Sequence, residues 1–242
     1  MKIVRLDSYK SVSQEAASLV LKELEGNRNK VLCAATGNSP QGTYDLLKQA
    51  FDLQPALFSG LRVIKLDEWG GIPMDSSGTC ESFLQFHLIG PLQIDSNRYI
   101  SFESNPKDPV RECNRIQDEL IKSGPIDICI LGLGMNGHLA LNEPGAFLEA
   151  CVHVAKLSKT SLTHAMIKDM KPKPSFGLTL GMGDILQSKL ILLLISGDKK
   201  KEITAEFLNG KISTALPASL LWLHSNVVCL IDKAAFGARD KE

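Results

Sequence analysis

Short, nearly continuous apolar runs recur along the chain at 31–35, 61–66, 126–131, 189–195 and 227–231, each closed by a turn. A strand that is apolar at almost every position has to be covered on both faces. That happens in parallel sheets sandwiched between helices. The intervening stretches read as helices: one after residue 40 running through Tyr44, Leu46 and Leu47, then 79–89, 110–122 and 199–208. Residues 142–176 are less regular, rich in Lys and Thr, with Pro172 and Pro174. No internal repeat, low-complexity tract or interdomain linker is visible. The expectation is one doubly wound, Rossmann-like α/β domain over residues 1–242, its mostly parallel sheet covered by helices on both faces, with a lid at about 145–176. In such folds ligands bind beyond the carboxyl ends of the strands, so the segments just after the apolar runs are where chemistry is sought.

The chain has 242 residues, 27 Lys+Arg and 27 Asp+Glu. Zero net charge argues against nucleic acid as a partner, because phosphate-backbone binding needs a basic surface. The six cysteines form no C-x-x-C pair, and Cys33, Cys129 and Cys229 sit inside apolar runs, which reads as reduced thiols. The opening MKIVRLDSYK lacks an apolar signal core, and no run reaches the roughly 18 apolar residues of a membrane span. A cytoplasmic protein without a membrane partner is expected.

Four post-strand segments carry candidate chemistry. Thr36-Gly37-Asn38-Ser39-Pro40 opens a helix, and free amides with hydroxyls at a helix start suit a phosphate, though the same letters make an ordinary capped turn. Asp67-Glu68 follows the second run. Adjacent carboxylates in an extended chain point to opposite faces, so one can enter a cleft while the other is structural. Asp67 could take a proton from an acidic carbon, or simply anchor a loop. Gly132-x-Gly134-x-x-Gly137 has the letters of a dinucleotide fingerprint. That motif needs a long helix directly behind it, and Asn142-Glu143-Pro144-Gly145 breaks the chain too soon, so no NAD is expected. The stretch reads better as a tight loop presenting Asn136, His138, Asn142 and Glu143, where a His with a nearby Glu can form an acid/base relay. No metal-ligand spacing is present, and neither metal nor cofactor is expected. Lys199, in Ser196-Gly-Asp-Lys199, could meet a phosphate at a helix start, or be solvated like its neighbours Lys200 and Lys201.

Taken together, Ala35-Thr-Gly-Asn-Ser-Pro40, Leu66-Asp-Glu-Trp69, Gly132-Leu-Gly-Met-Asn-Gly-His-Leu-Ala-Leu-Asn-Glu-Pro-Gly145, Gly177-Leu-Thr-Leu-Gly181 and Ser196-Gly-Asp-Lys199 resemble the glucosamine-6-phosphate deaminase/isomerase family. That family lies within a superfamily that includes the 6-phosphogluconolactonases. Asn142-Glu143-Pro144-Gly145 favours the deaminase branch. Gly78-Thr-Cys-Glu-Ser-Phe83 and Ser213-Thr-Ala-Leu-Pro-Ala-Ser-Leu-Leu-Trp-Leu-His-Ser-Asn226 are similar to the galactosamine-6-phosphate deaminase/isomerases.

The resemblance implies conversion of galactosamine 6-phosphate to tagatose 6-phosphate and ammonia, or of glucosamine 6-phosphate to fructose 6-phosphate. A 6-phosphogluconolactonase-like hydrolase is the remaining alternative. Asp67 is then the base that moves the C2 proton to C1, His138 assists ring opening, and Glu143 orients His138. Thr36, Gly37, Asn38, Ser39 and Lys199 hold the 6-phosphate. Two positions depart from the family pattern. Asn136 stands where many members carry Asp, and the family's phosphate-binding lid arginine falls near His164, which is the candidate substitute together with Lys168 and Lys171. The carboxyl-terminal tail is shorter than in allosteric hexameric members, so no comparable allosteric site is expected. A homo-oligomer is possible.

Overall fold

The computed structural model describes residues 1–163, 166–168 and 170–237. Among these are ten strands: β1 (Lys2–Leu6), β2 (Val31–Ala34), β3 (Arg62–Lys65), β4 (Asp67–Gly70), β5 (Tyr99–Ile100), β6 (Ile128–Gly132), β7 (His153–Ala155), β8 (Phe176–Thr179), β9 (Leu190–Ile195) and β10 (Val227–Asp232). Seven form one parallel sheet in the order β1-β10-β9-β6-β2-β3-β5. All five apolar runs lie in it.

The alternation within one strand shows why those runs are continuous. Leu32 and Ala34 of β2 pack with Val12, Val20, Tyr44 and Leu47, from α1 (Tyr9–Gly26) and α2 (Asn38–Leu53). On the opposite face, Val31 and Cys33 join a core with Cys113, Ile116 and Phe207; α3 (Cys80–Leu84) precedes α4 (Pro109–Ser123), which supplies the first two. Short helices α5 (Lys159–Leu162) and α6 (Met182–Leu186) come next, then α7 (Lys201–Leu208), which carries Phe207, and α8 (Lys233–Phe236). Both faces of β2 are thus buried, and a polar residue has no place on either. The doubly wound parallel sheet matches the expectation.

A second, antiparallel sheet, β4-β8-β7, was not anticipated. It arises where the chain leaves β3. Leu66 N–H donates to Ala34 O of the main sheet at 3.2 Å, while Leu66 O accepts from Leu180 N–H at 3.0 Å. The next residue, Asp67, begins β4 and pairs with Thr179. The Asp-Glu-Trp-Gly segment is therefore a strand in its own right rather than a loop. Gly70 is required there because a Cβ would lie 2.1 Å from the Phe176 ring. The stretch read as one helix over 79–89 is α3 followed by a π turn at Gln85–Ile89. The irregular 142–176 region contributes β7 to the second sheet.

Candidate active site

Asp67 and Glu68 divide their roles as strand alternation requires. Glu68 is fully buried and consumed by structure. Its Oε1 accepts from Trp69 N–H and Cys80 N–H, both at 2.8 Å, and its Oε2 from Glu81 N–H at 2.8 Å and Lys65 Nζ at 2.7 Å. Cys80 and Glu81 open α3, so Glu68 satisfies amides that a helix start leaves unpaired. Lys65, also fully buried, completes its shell with Glu81 Oε2 at 2.8 Å and Phe102 O at 2.9 Å.

Asp67 has no such shell. Its half-buried carboxylate takes one long bond, from Cys80 Sγ at 3.7 Å. Burial, followed by the charge of Glu68, pushes it from 3.8 up to about 7, against the pull of His138, Cys80 and Lys65. A carboxyl poised there can accept a proton near neutral pH.

The loop after β6 supplies the second cluster. Its glycines are steric necessities: a Cβ on Gly134 would lie 2.5 Å from the His138 ring. Gly137, at φ +81°, would bring one within 2.1 Å of Leu216. His138 Nδ1 stands 3.5 Å from Glu143 Oε2. Asn136 bridges the pair, its Nδ2 donating to Glu143 Oε2 at 2.9 Å and its Oδ1 accepting from His138 N–H at 3.3 Å. Ser161 Oγ donates to the other oxygen, Glu143 Oε1. Burial alone raises the Glu143 carboxyl, but the contacts of His138, Ser161 and Asn136 and the His138 charge outweigh it and hold it at about 2. Glu143 is an anion across the working pH range, behind the imidazole. Asn142 is structural: buried, it ties Leu139 O (3.1 Å) to Leu180 O (2.9 Å).

The turn at 36–39 adjoins both clusters. Gly37, at φ +90°, is the N-cap of α2 and has no side chain to bond the helix's first amides, while the Tyr9 hydroxyl accepts from Gly42 N–H one turn in. Ser39 lies beside Gly132, where a Cβ would sit 3.4 Å from its Oγ. Thr36 Oγ1 donates to Cys80 Sγ at 3.3 Å.

Lys199 is not drawn in. It is exposed, and its amide bonds the Asp198 side chain. Lys200 turns inward instead, its Nζ donating to Leu133 O, and burial lowers it to about 8. His164 lies outside the described residues; Lys168 and Lys171 are exposed. Three residues of this site, Cys80, Ser161 and Lys200, were not singled out for it from the sequence. Ser161 and Lys200 sit among other Ser, Thr and Lys residues, and no spacing distinguishes them. Among the described residues, no three His, Cys, Asp or Glu side chains are grouped to hold a metal ion, and no helix is long and apolar enough to cross a membrane.

Known proteins align with the chain over nearly its full length. AgaI, a protein of Escherichia coli (strain K12) provisionally called a deaminase, is 41% identical over 228 residues, covering 94% of this chain and 90% of its own. Glucosamine-6-phosphate deaminase 1 of Bacillus subtilis (strain 168) is 34% identical, covering 99% of this chain and 100% of its own. Among solved structures, a monomeric glucosamine-6-phosphate deaminase superposes with a TM-score of 0.92 at 33% identity, covering 97% of this chain and 98% of its own. The 6-phosphogluconolactonase of Trypanosoma brucei, at TM-score 0.76 and 22% identity over 97% of each chain, shares the fold. The model of the glucosamine-6-phosphate isomerases/6-phosphogluconolactonase family matches residues 7–230, and the chain belongs to that family.

Proposed function

We propose that the chain isomerises and deaminates a hexosamine 6-phosphate, with galactosamine 6-phosphate as substrate and tagatose 6-phosphate and ammonia as products. The observation that carries this reading is the division of acid/base labour. A carboxyl poised at about 7 stands at the start of β4, and a histidine backed by a permanently ionised carboxylate stands across the same strand ends. In the ring-opened amino sugar, the C2 proton is acidic because C1 is an aldehyde. Asp67 removes it, giving an enolamine, and returns it at C1. The resulting C2 imine adds water and expels ammonia, leaving the ketose phosphate. His138 moves the proton between the ring oxygen and the anomeric hydroxyl in the preceding ring opening. Glu143 stabilises the imidazolium formed on the way, with Asn136 and Ser161 holding its two oxygens.

The turn at Thr36, Gly37, Asn38 and Ser39 receives the 6-phosphate on the first amides of α2. Lys200 supplies the positive charge, a role its inward position supports better than the exposed Lys199. The phosphate is a remote handle whose binding energy fixes the reacting carbons over Asp67. Residues 145–176 act as the lid, and Ser161 links that segment to Glu143.

The galacto preference rests on the 78–83 and 213–226 segments, and the likeness to AgaI supports a deaminase. The glucosamine 6-phosphate deaminases among the relatives make fructose 6-phosphate the alternative product. Incubation with each sugar phosphate separately, with ammonia measured and the ketose identified, tests the reading. Ammonia from neither, with hydrolysis of 6-phosphogluconolactone instead, rejects it.

A further inference from the structure

The hydrogen bonds of Cys80 have no part in packing or in the reaction just described. It is 2% exposed and belongs to the small core with Trp69, Ile72, Leu141, Ala155 and Ile167, a setting that asks only for an apolar side chain. Both of its hydrogen-bonding capacities are nevertheless used. Its sulfur accepts from Thr36 Oγ1 at 3.3 Å, and its S–H points to Asp67 Oδ1 at 3.7 Å. Among the described residues it is the one hydrogen-bond donor to the Asp67 carboxylate. Its backbone is fixed independently, by Cys80 N–H bonding Glu68 Oε1. Glu68 is held in turn by Lys65. We propose that Cys80 is a positioning residue for Asp67, joining the phosphate turn to the carboxylate so that the base stays aimed and ionisable at the C2 proton.

This inference rests on the proposed deaminase reading. Burial, then the charges of Glu68 and Asp67, push the Cys80 thiol well above its ordinary range, so it remains a protonated donor throughout the working pH range. A donor to the charged form of an acid favours that form. Removing it makes Asp67 harder to ionise, and the acid limb of activity moves to higher pH. The other groups facing Asp67 are Lys65 and Glu68 beside it, His138 from the loop after β6, and Cys33 and Tyr44 from β2 and α2. All of these remain unchanged in the variants below.

The test compares three substitutions, Cys80→Ala and Cys80→Val without a donor and Cys80→Ser with one, each checked for native thermal unfolding. In both donorless variants the acid limb of kcat/KM shifts upward by about half to one pH unit, a three- to tenfold loss at pH 6. The loss falls on kcat more than on KM, and Cys80→Ser keeps the wild-type limb or lies below it. Carboxyl 13C shifts of Asp67, followed by titration without substrate, move in the same order. If whichever donorless variant folds has the wild-type limb and the wild-type Asp67 titration, Cys80 is packing only and the proposal is wrong. If wild-type enzyme releases no ammonia from either sugar phosphate, the functional reading fails. The 13C titration then still decides whether Cys80 sets the ionisation of Asp67.

Discussion

Asp67 and Glu143 are both carboxyls near a strand end, yet their surroundings drive them in opposite directions. Asp67 is raised by burial and then by the like charge of Glu68, with one weak donor to oppose them, whereas three side chains attend to Glu143 and outweigh its burial. As the proposed base, Asp67 must be ionised, so kcat/KM for free enzyme is expected to fall as pH drops through about 7. Asp67→Asn keeps the shape and removes the base; turnover falls by roughly two to four powers of ten with KM little changed. His138→Gln slows the pyranose strongly but spares C2-proton exchange in an open-chain ketose-phosphate analogue. Deuterium incorporation in both variants checks that division, and equal loss of exchange in His138→Gln refutes it.

The same shifts have consequences for stability, with opposite signs. The folded value of Asp67 lies above its unfolded value of 3.8, so the native state loses stability as pH rises from about 4 to 7. Asp67→Asn is therefore expected to melt higher than wild type at pH 8, with the gap closing by pH 4. Glu143 is lowered, so its contribution is present above the ordinary value of 4.5 and disappears as pH falls towards 2. Glu143→Gln melts lower than wild type at pH 7 and no lower near pH 2. Thermal unfolding across that range reads both trends. At this scale Asp67, His138, Glu143 and Asn136 were legible in the sequence because a strand end and a glycine loop present them. Lys200 was not, because three successive lysines are identical as letters. The 3-10 turn at Asp198–Lys200 decides which of them faces inward.

Among the elements, α3 depends most on charge. Its opening amides are held by Glu68, and Glu68 is held by Lys65, with all of Lys65 and Glu68 out of contact with solvent. Lys65→Met leaves two acidic groups facing each other without a cation. Breaking such a buried pair costs about 3–5 kcal/mol, and urea denaturation will register it as a lower midpoint. The five inner strands of the main sheet were legible because they lie between neighbours and are covered on both faces. Its edge strands were not: Lys2, Ile3 and Arg5 of β1 are exposed, and β5 is two residues long, so neither has a continuous apolar run. β4, β7 and β8 were hidden for a different reason. They are three or four residues long and owe their existence to pairing between distant segments, such as Trp69 with Gly177, which no local pattern encodes.

Over the whole molecule, the reaction proposed needs proton transfers and a bound phosphate, all available from side chains and helix amides. Exhaustive dialysis against a chelator, without added NAD or divalent ion, is expected to leave ammonia release unchanged. Loss of activity that metal restores overturns this. Hydrogen exchange should rank the two sheets. Amides of β6 and β9, central and covered on both faces, exchange only on global unfolding, while those of β7 at the rim of the smaller sheet exchange sooner.

The double bonding of Leu66 has a mechanical consequence. One residue is riveted to β2, next to the turn proposed for the phosphate, and to the exit of β8, which Asn142 ties to the histidine loop. Turn, base and loop are thereby fastened to a single rigid frame. A frame of that kind has no play at the reacting carbon, so whatever swings aside to admit the sugar must be hinged elsewhere, in chain that Leu66 does not clamp.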